Sequence, residues 1–197
     1  MTKIHDQRKL PADLKRCVDF HGHICPGLIY GYRLALEAIG LMDLHRAVDE
    51  EIVAICENDS CAIDALQVLL GTAAGKGNLI IKDYGKNAYT IISRMKRRSF
   101  RFSRTERYEY QGTDKHIYDQ LNVSVGKGIA GKEDQMALKQ MKINDLLSRP
   151  FSDIFTTKEM DYTDPLFAPL QPSEPCALCG EMTMTGFQNA TKECVYF

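Results

Sequence analysis

The sequence predicts an α+β protein, one sheet with helices packed against it, followed by a small metal-held module. Three observations point there. Residues 26–41 are apolar at helical spacing, "EIVAIC" at 51–56 is a β-branched run that suits a buried strand, and three of the seven cysteines fall in the last 22 residues. With 197 residues, 44% of them hydrophobic and 26% charged, the chain can bury a proper core. Its formal net charge of −1 names no partner. Residues 1–159 are expected to form the core domain, and residues 160–197 a linker and C-terminal module.

The elements follow in order. Leu10 to Asp19 sets Leu10, Leu14, Cys17 and Val18 at helical spacing and predicts a short helix that stops before the histidines. Pro26 to Leu41 predicts a mostly buried second helix, with proline in its first turn, Gly40 at its end and a smooth stripe of Gly27, Gly31 and Ala35. Cys25 then falls at or beside the N-cap. The strand at 51–56 leads through "ENDS" into a third helix, "CAIDALQVLLG", capped by Asp59 or Ser60 and stopped by Gly71. Cys61, like Cys25, opens a helix. Strands at 79–82 and 89–92 and an alternating stretch from Phe100 to Tyr110 complete the sheet, and helices near 116–121 and across 132–147 follow, the second limited by Pro150.

No apolar run reaches the roughly 18 residues of a membrane span, and the N-terminus lacks an export pattern, so a cytoplasmic protein is expected. In that compartment seven cysteines favour metal ligation or reactive thiols over disulfides. "FHGHICPG" gathers His21, His23 and Cys25 where the second helix begins. Helix N-termini present free N–H groups and partial positive charge, which favour a thiolate, and thiolates bind metals and attack electrophiles. If the helices that start near Cys25 and Cys61 lie side by side, both sulfurs and the imidazoles meet at one end of the domain. Asp64 shares the face of Cys61 and could ligate, orient an imidazole or act as a base. Cys25, Cys61 and Asp64 are the candidate catalytic residues. His21, His23, Cys25 and Cys61 are the candidate metal ligands there. Cys17 and Cys56 read as inert core thiols, and His5, His45 and His116 as structural or exposed.

At the C-terminus, Cys176-Ala-Leu-Cys179-Gly180 has the pattern of a zinc knuckle, with Cys194 as a third ligand. A fourth cysteine belongs at 197, where Phe197 stands instead. Asp161, Asp164, Glu174, Glu193, the terminal carboxyl or a group from a second protomer could complete the set. Two other signals are discounted. "GTAAGKGN" has the wrong glycine spacing for a phosphate-binding loop and lacks Ser or Thr after Lys76, which is left as a charge near the site. "RMKRRSFRFSRTERY", with seven basic residues among aromatics, is read as a strand face rather than a nucleic-acid surface.

"FHGHICPG", "CENDSCAIDALQVLLGTAAGKGNLIIKDYGKNAYTI" and the terminal "CALCGE" together resemble the FmdE family of formylmethanofuran dehydrogenase proteins, strongly over roughly residues 14–95. The resemblance implies a thioredoxin-like core with a mixed β-sheet flanked by helices, a treble-clef-like zinc finger, and an active site at His21, His23, Cys25 and Cys61 with zinc as the expected metal. It also raises association with a molybdenum oxidoreductase complex. It does not supply a reaction. Three readings stay open: a metal- and thiol-dependent enzyme or component of one, a non-catalytic accessory or docking protein, and a thiol-redox protein using Cys25 with Cys61. A homodimer is expected through the Gly27, Gly31 and Ala35 face and the aromatic stretch at 100–110.

Overall fold

The computed structural model describes residues 10–194. His5, expected to be structural or exposed, lies outside them, as does Phe197. The chain divides into two compact units, Met1–Pro165 and Leu166–Phe197.

The first unit is α+β. Its helices are α1 (Ala12–His21), α2 (Pro26–Met42), α3 (Ala62–Leu70), α4 (Lys115–Gly126) and α5 (Lys132–Ser148). Its strands are β1 (Ile52–Cys56), β2 (Leu79–Ile81), β3 (Ala88–Ser93), β4 (Arg98–Ser103) and β5 (Thr156–Met160), in the sheet order β2-β1-β3-β4-β5. β1 and β2 are parallel, joined through α3, and all other pairs are antiparallel, so the sheet is mixed. The second unit holds an antiparallel hairpin of β6 (Ser173–Pro175) and β7 (Met182–Met184). Among the described residues no helix is long and apolar enough to cross a membrane.

The core lies between the sheet and α1, α2 and α3. Leu14, Leu28, Ile29, Leu34, Leu66, Leu70, Ile91 and Phe102 are all fully buried there. The glycine stripe of α2 exists for this packing. A Cβ on Gly31 would sit 2.0 Å from the Ala62 carbonyl oxygen, and one on Gly27 would sit 3.0 Å from the Cys61 Cβ. Only glycine lets α2 run this close to the start of α3. The face expected to meet a two-fold partner is therefore spent inside the core. In the aromatic stretch Phe100, Phe102 and Tyr110 are buried, while residues 105–107 and Glu109 are exposed. Of the two surfaces that suggested a homodimer, the helix face is thus taken up by α3.

Several boundaries differ from the sequence reading. α1 does not stop before the histidines but runs through His21 and ends at Gly22, whose φ of 85° gives the left-handed stop. Gly40 is interior to α2, which ends at Asp43 with φ 49°. Neither Asp59 nor Ser60 caps α3. Cys61 occupies that position itself, while Ser60 bonds Asn58 and Tyr89. The alternating stretch 100–110 is strand only to Ser103, because β5 pairs no farther. β5 itself has no counterpart in the sequence reading.

Candidate functional site

Three local features bring the N-terminal residues together. α1 delivers His21 on its last turn, and the left-handed Gly22 turns the chain so that His23 and Cys25 follow at the mouth of α2. Cys25 is the N-cap of α2, its Sγ accepting the Leu28 N–H at 3.3 Å. α3 leaves the C-terminal end of β1 and presents Cys61 and Asp64 to the same point, the end of a parallel strand pair where open α/β sheets gather ligands.

The geometry is specific. His21 Nδ1 donates to Asp64 Oδ2 at 2.6 Å, and His21 Nε2 lies 3.6 Å from Cys25 Sγ. The carboxylate behind Nδ1 leaves the lone pair on Nε2, facing the sulfur. The His23 ring stands 4.5 Å from that of His21, and one donor atom each from His21, His23 and Cys25 fit within 4.8 Å of one another. Cys61 is outside this trio, but its sulfur is near that of Cys25: a Cβ on Gly27 would stand 3.5 Å from the Cys61 sulfur and 3.8 Å from the Cys25 sulfur. Gln67, unnoticed in the sequence although it stands three residues after Asp64 on one helix face, holds the other carboxylate oxygen at 3.1 Å.

The electrostatics of this cluster differ in part from expectation. Burial, then the charge and hydrogen bond of Cys25, push the Cys61 thiol above its ordinary value, so its place at a helix start does not by itself make it a thiolate. Partial burial, the His21 imidazole and the Lys139 ammonium hold His23 below its ordinary value, which favours the neutral, ligating ring. Two imidazoles and a thiol, with a carboxylate behind one imidazole, fit a borderline-soft divalent ion such as zinc.

The second cluster lies wholly in the C-terminal unit. Cys176, Cys179 and Cys194 also place their sulfurs within 4.8 Å of one another. Cys176 Sγ accepts the N–H groups of Leu178 at 3.4 Å and Cys194 at 3.2 Å, and the backbone N–H of Cys179 first, then those of Cys194 and Leu178, bring its thiol down to about 6. Gly180, with φ 77°, makes the turn between Cys179 and the hairpin strand. The residues present fit a metal here as well.

The remaining candidates resolve differently. Cys17 and Cys56 are fully buried, and burial drives their thiols up to about 11 and about 12. His45 and His116 are exposed. Lys76, expected to lie near the site, donates to the Val48, Asp49 and Gly71 carbonyls and fixes the loop before β1. Four of the seven basic residues of the basic stretch pair with carboxylates within the first unit: Arg94 meets Glu50 and Asp164, Lys96 meets Asp43, Arg98 meets Glu159, and Arg101 meets Glu57.

Fold and site define an α+β protein with two cysteine-bearing groups able to hold a metal ion. The chain belongs to the FmdE family: residues 20–156 match the model described as "FmdE, Molybdenum formylmethanofuran dehydrogenase operon". A relative from Archaeoglobus fulgidus, named a probable S-adenosyl-L-methionine-binding protein, is 30% identical over 188 residues, covering 90% of this chain and 50% of that protein. The chain thus spans half the length of this relative. The crystal structure of a tungsten formylmethanofuran dehydrogenase FmdE-like protein from Syntrophus aciditrophicus shares the fold, with a TM-score of 0.56 at 19% identity over 92% of this chain and 88% of that one.

Proposed function

We propose that this chain is a zinc-binding protein with a Cys/His centre in its first unit and a structural zinc finger at its C-terminus. His21, His23 and Cys25 hold the first ion, and Cys61 adds a second sulfur beside it, as ligand or nucleophile. The observation that carries the reading is the line from Gln67 to Asp64 to His21 to the Cys25 sulfur, in which each group orients the next. Zinc, when bound, supplies Lewis-acid polarisation of a substrate oxygen or a lowered pKa for bound water. The protein's own groups do the rest. Asp64 holds the His21 tautomer, Gln67 fixes the carboxylate, and Cys61 offers a thiol at the centre. Metal analysis tests this: wild type should carry two ions per chain, one lost in Cys25→Ser and the other in Cys176→Ser. Full metal content in Cys25→Ser would sink the N-terminal centre.

The parallel β1-α3-β2 unit followed by an antiparallel hairpin supports a thioredoxin-like reading of the core. The nearness of the Cys25 and Cys61 sulfurs, both within 3.8 Å of where a Cβ on Gly27 would stand, favours a second reading, thiol redox chemistry, in which the two thiols join with loss of two protons and two electrons to an oxidant. Mild oxidation with diamide would then yield a Cys25–Cys61 crosslinked peptide, and its absence removes that reading. The operon named in the family description supports an accessory role beside a molybdenum enzyme. S-adenosylmethionine, in the name of the Archaeoglobus relative, stays with that protein.

A further inference from the structure

The C-terminal cluster has three sulfurs, and a structural zinc site closes with four protein ligands. Cys179 Sγ and Cys194 Sγ are 3.9 Å apart, close to the edge of a zinc tetrahedron, about 3.8 Å for bonds of about 2.3 Å. The knuckle is already shaped for an ion. What must be found is the fourth donor.

Most of the carboxylates in reach of sequence reasoning are occupied. Glu174 pairs with Lys192 at 2.9 Å. Glu193 accepts from the Asn189 amide at 2.9 Å and the Thr191 hydroxyl at 2.8 Å. Asp161 and Asp164 belong to the first unit, where Asp164 meets Arg94. Glu181 was not among these candidates. Its backbone is locked into the knuckle, its carbonyl accepting the Cys176 N–H at 2.8 Å and the Thr183 hydroxyl at 3.1 Å. Its Oε2 lies 3.9 Å from Cys179 Sγ, and among the described residues this thiol is the carboxylate's only polar contact. A sulfur and an oxygen on one zinc ion would be about 3.6 Å apart, so the carboxylate is within a few tenths of an ångström of that spacing from Cys179, and because it is not within 4.8 Å of all three sulfurs its side chain must rotate toward Cys176 and Cys194 to join them.

We infer that Glu181 is the fourth ligand of the C-terminal metal site, making it a three-thiolate, one-carboxylate centre. The inference rests on the structural-metal reading of that unit and adds a residue to it. The carboxylate takes the place that Phe197 denies to a fourth sulfur. Relative to a four-thiolate site it lowers the negative charge on sulfur and leaves the ion harder, without moving any strand of the hairpin.

Cobalt substitution of the full chain tests this, in a His21→Ala, Cys25→Ser background so that only the C-terminal site loads. In that parent the sulfur-to-cobalt charge-transfer band should report three thiolates and disappear in Cys176→Ser. Glu181→Cys should raise its intensity by about a third, as three sulfurs become four. Glu181→Ala should weaken cobalt binding by at least about tenfold. A Glu181→Ala protein that binds cobalt as tightly as its parent, or a Glu181→Cys protein whose band is unchanged, overturns the assignment while leaving the structural metal intact. A parent that takes up no cobalt overturns both.

Discussion

Gly31→Ala isolates the contact on which the N-terminal geometry depends. The added Cβ would stand 2.0 Å from the Ala62 carbonyl oxygen and 2.6 Å from that residue's carbonyl carbon and Cα. Non-bonded heavy atoms settle at about 3.5–4.0 Å, so α2 and the start of α3 must part by about 1 Å or more. The obstacle is backbone, which cannot swing aside. Overpacking of this kind costs about 3 kcal/mol at the upper end of its usual range, against about 0.5–1 kcal/mol gained from alanine's better helix propensity. The net loss is about 2 kcal/mol or more, a fall in Tm of about 4–8 °C for a chain of this size. Gly40→Ala is the control, since a Cβ there meets nothing within 4 Å. It should stabilise by about 0.5–1 kcal/mol. Thermal unfolding followed by circular dichroism reads both, and alkylation of Cys61 should quicken only in Gly31→Ala. Equal melting temperatures for the two variants would refute the close approach and with it the placement of Cys61 beside Cys25.

Further outcomes follow from other contacts. Asp64→Asn keeps the shape of the side chain but no longer holds the charge behind His21, and should weaken metal binding at the N-terminal site by about 10–100-fold, as read by chelator competition. Burial places the Cys17 and Cys56 thiols at about 11 and about 12, so iodoacetamide at neutral pH should spare both in the native chain and modify them after denaturation. The Arg101 guanidinium, through its hydrogen bonds, holds the Glu57 carboxyl below its ordinary value of 4.5. With a lowered folded value, that stabilisation is fully present above the unfolded value and fades as pH falls from 4.5 through the folded value. Glu57→Gln should therefore flatten the acid limb of an unfolding-against-pH curve, and an unchanged limb would contradict the pairing.

The parts of this fold set by local chemistry were legible in the sequence. Pro26 after Cys25, the apolar run of α2, the β-branched β1 and Gly71 after α3 each carry their own signal, and they place the opening of α2 and the end of α3, while the opening of α3 falls one or two residues later than its expected caps. The rest was decided by contacts between distant residues. Every residue of β5 is exposed and "TTKEM" has no apolar alternation, so only its pairing with β4 makes it a strand. The alternation from Phe100 to Tyr110 continues past Ser103, but the partner strand does not. In the site, residue types and spacing named His21, His23, Cys25, Cys61 and Asp64. They could not say that Asp64 stands behind His21 rather than beside the sulfurs, because that depends on how closely Gly27 and Gly31 let α3 approach. Glu181 was visible beside Cys179, yet only its lack of another partner among the described residues sets it apart from Glu174 and Glu193.

The central claim is that imidazole and thiolate from the first unit share one ion. Zinc K-edge X-ray absorption on Cys176→Ser, Cys179→Ser protein, in which only the N-terminal site loads, tests it most directly. The account predicts a mixed first shell, with imidazole nitrogen at about 2.0–2.1 Å and at least one sulfur at about 2.3 Å. A shell of light atoms alone, or a protein that retains no zinc, would contradict it.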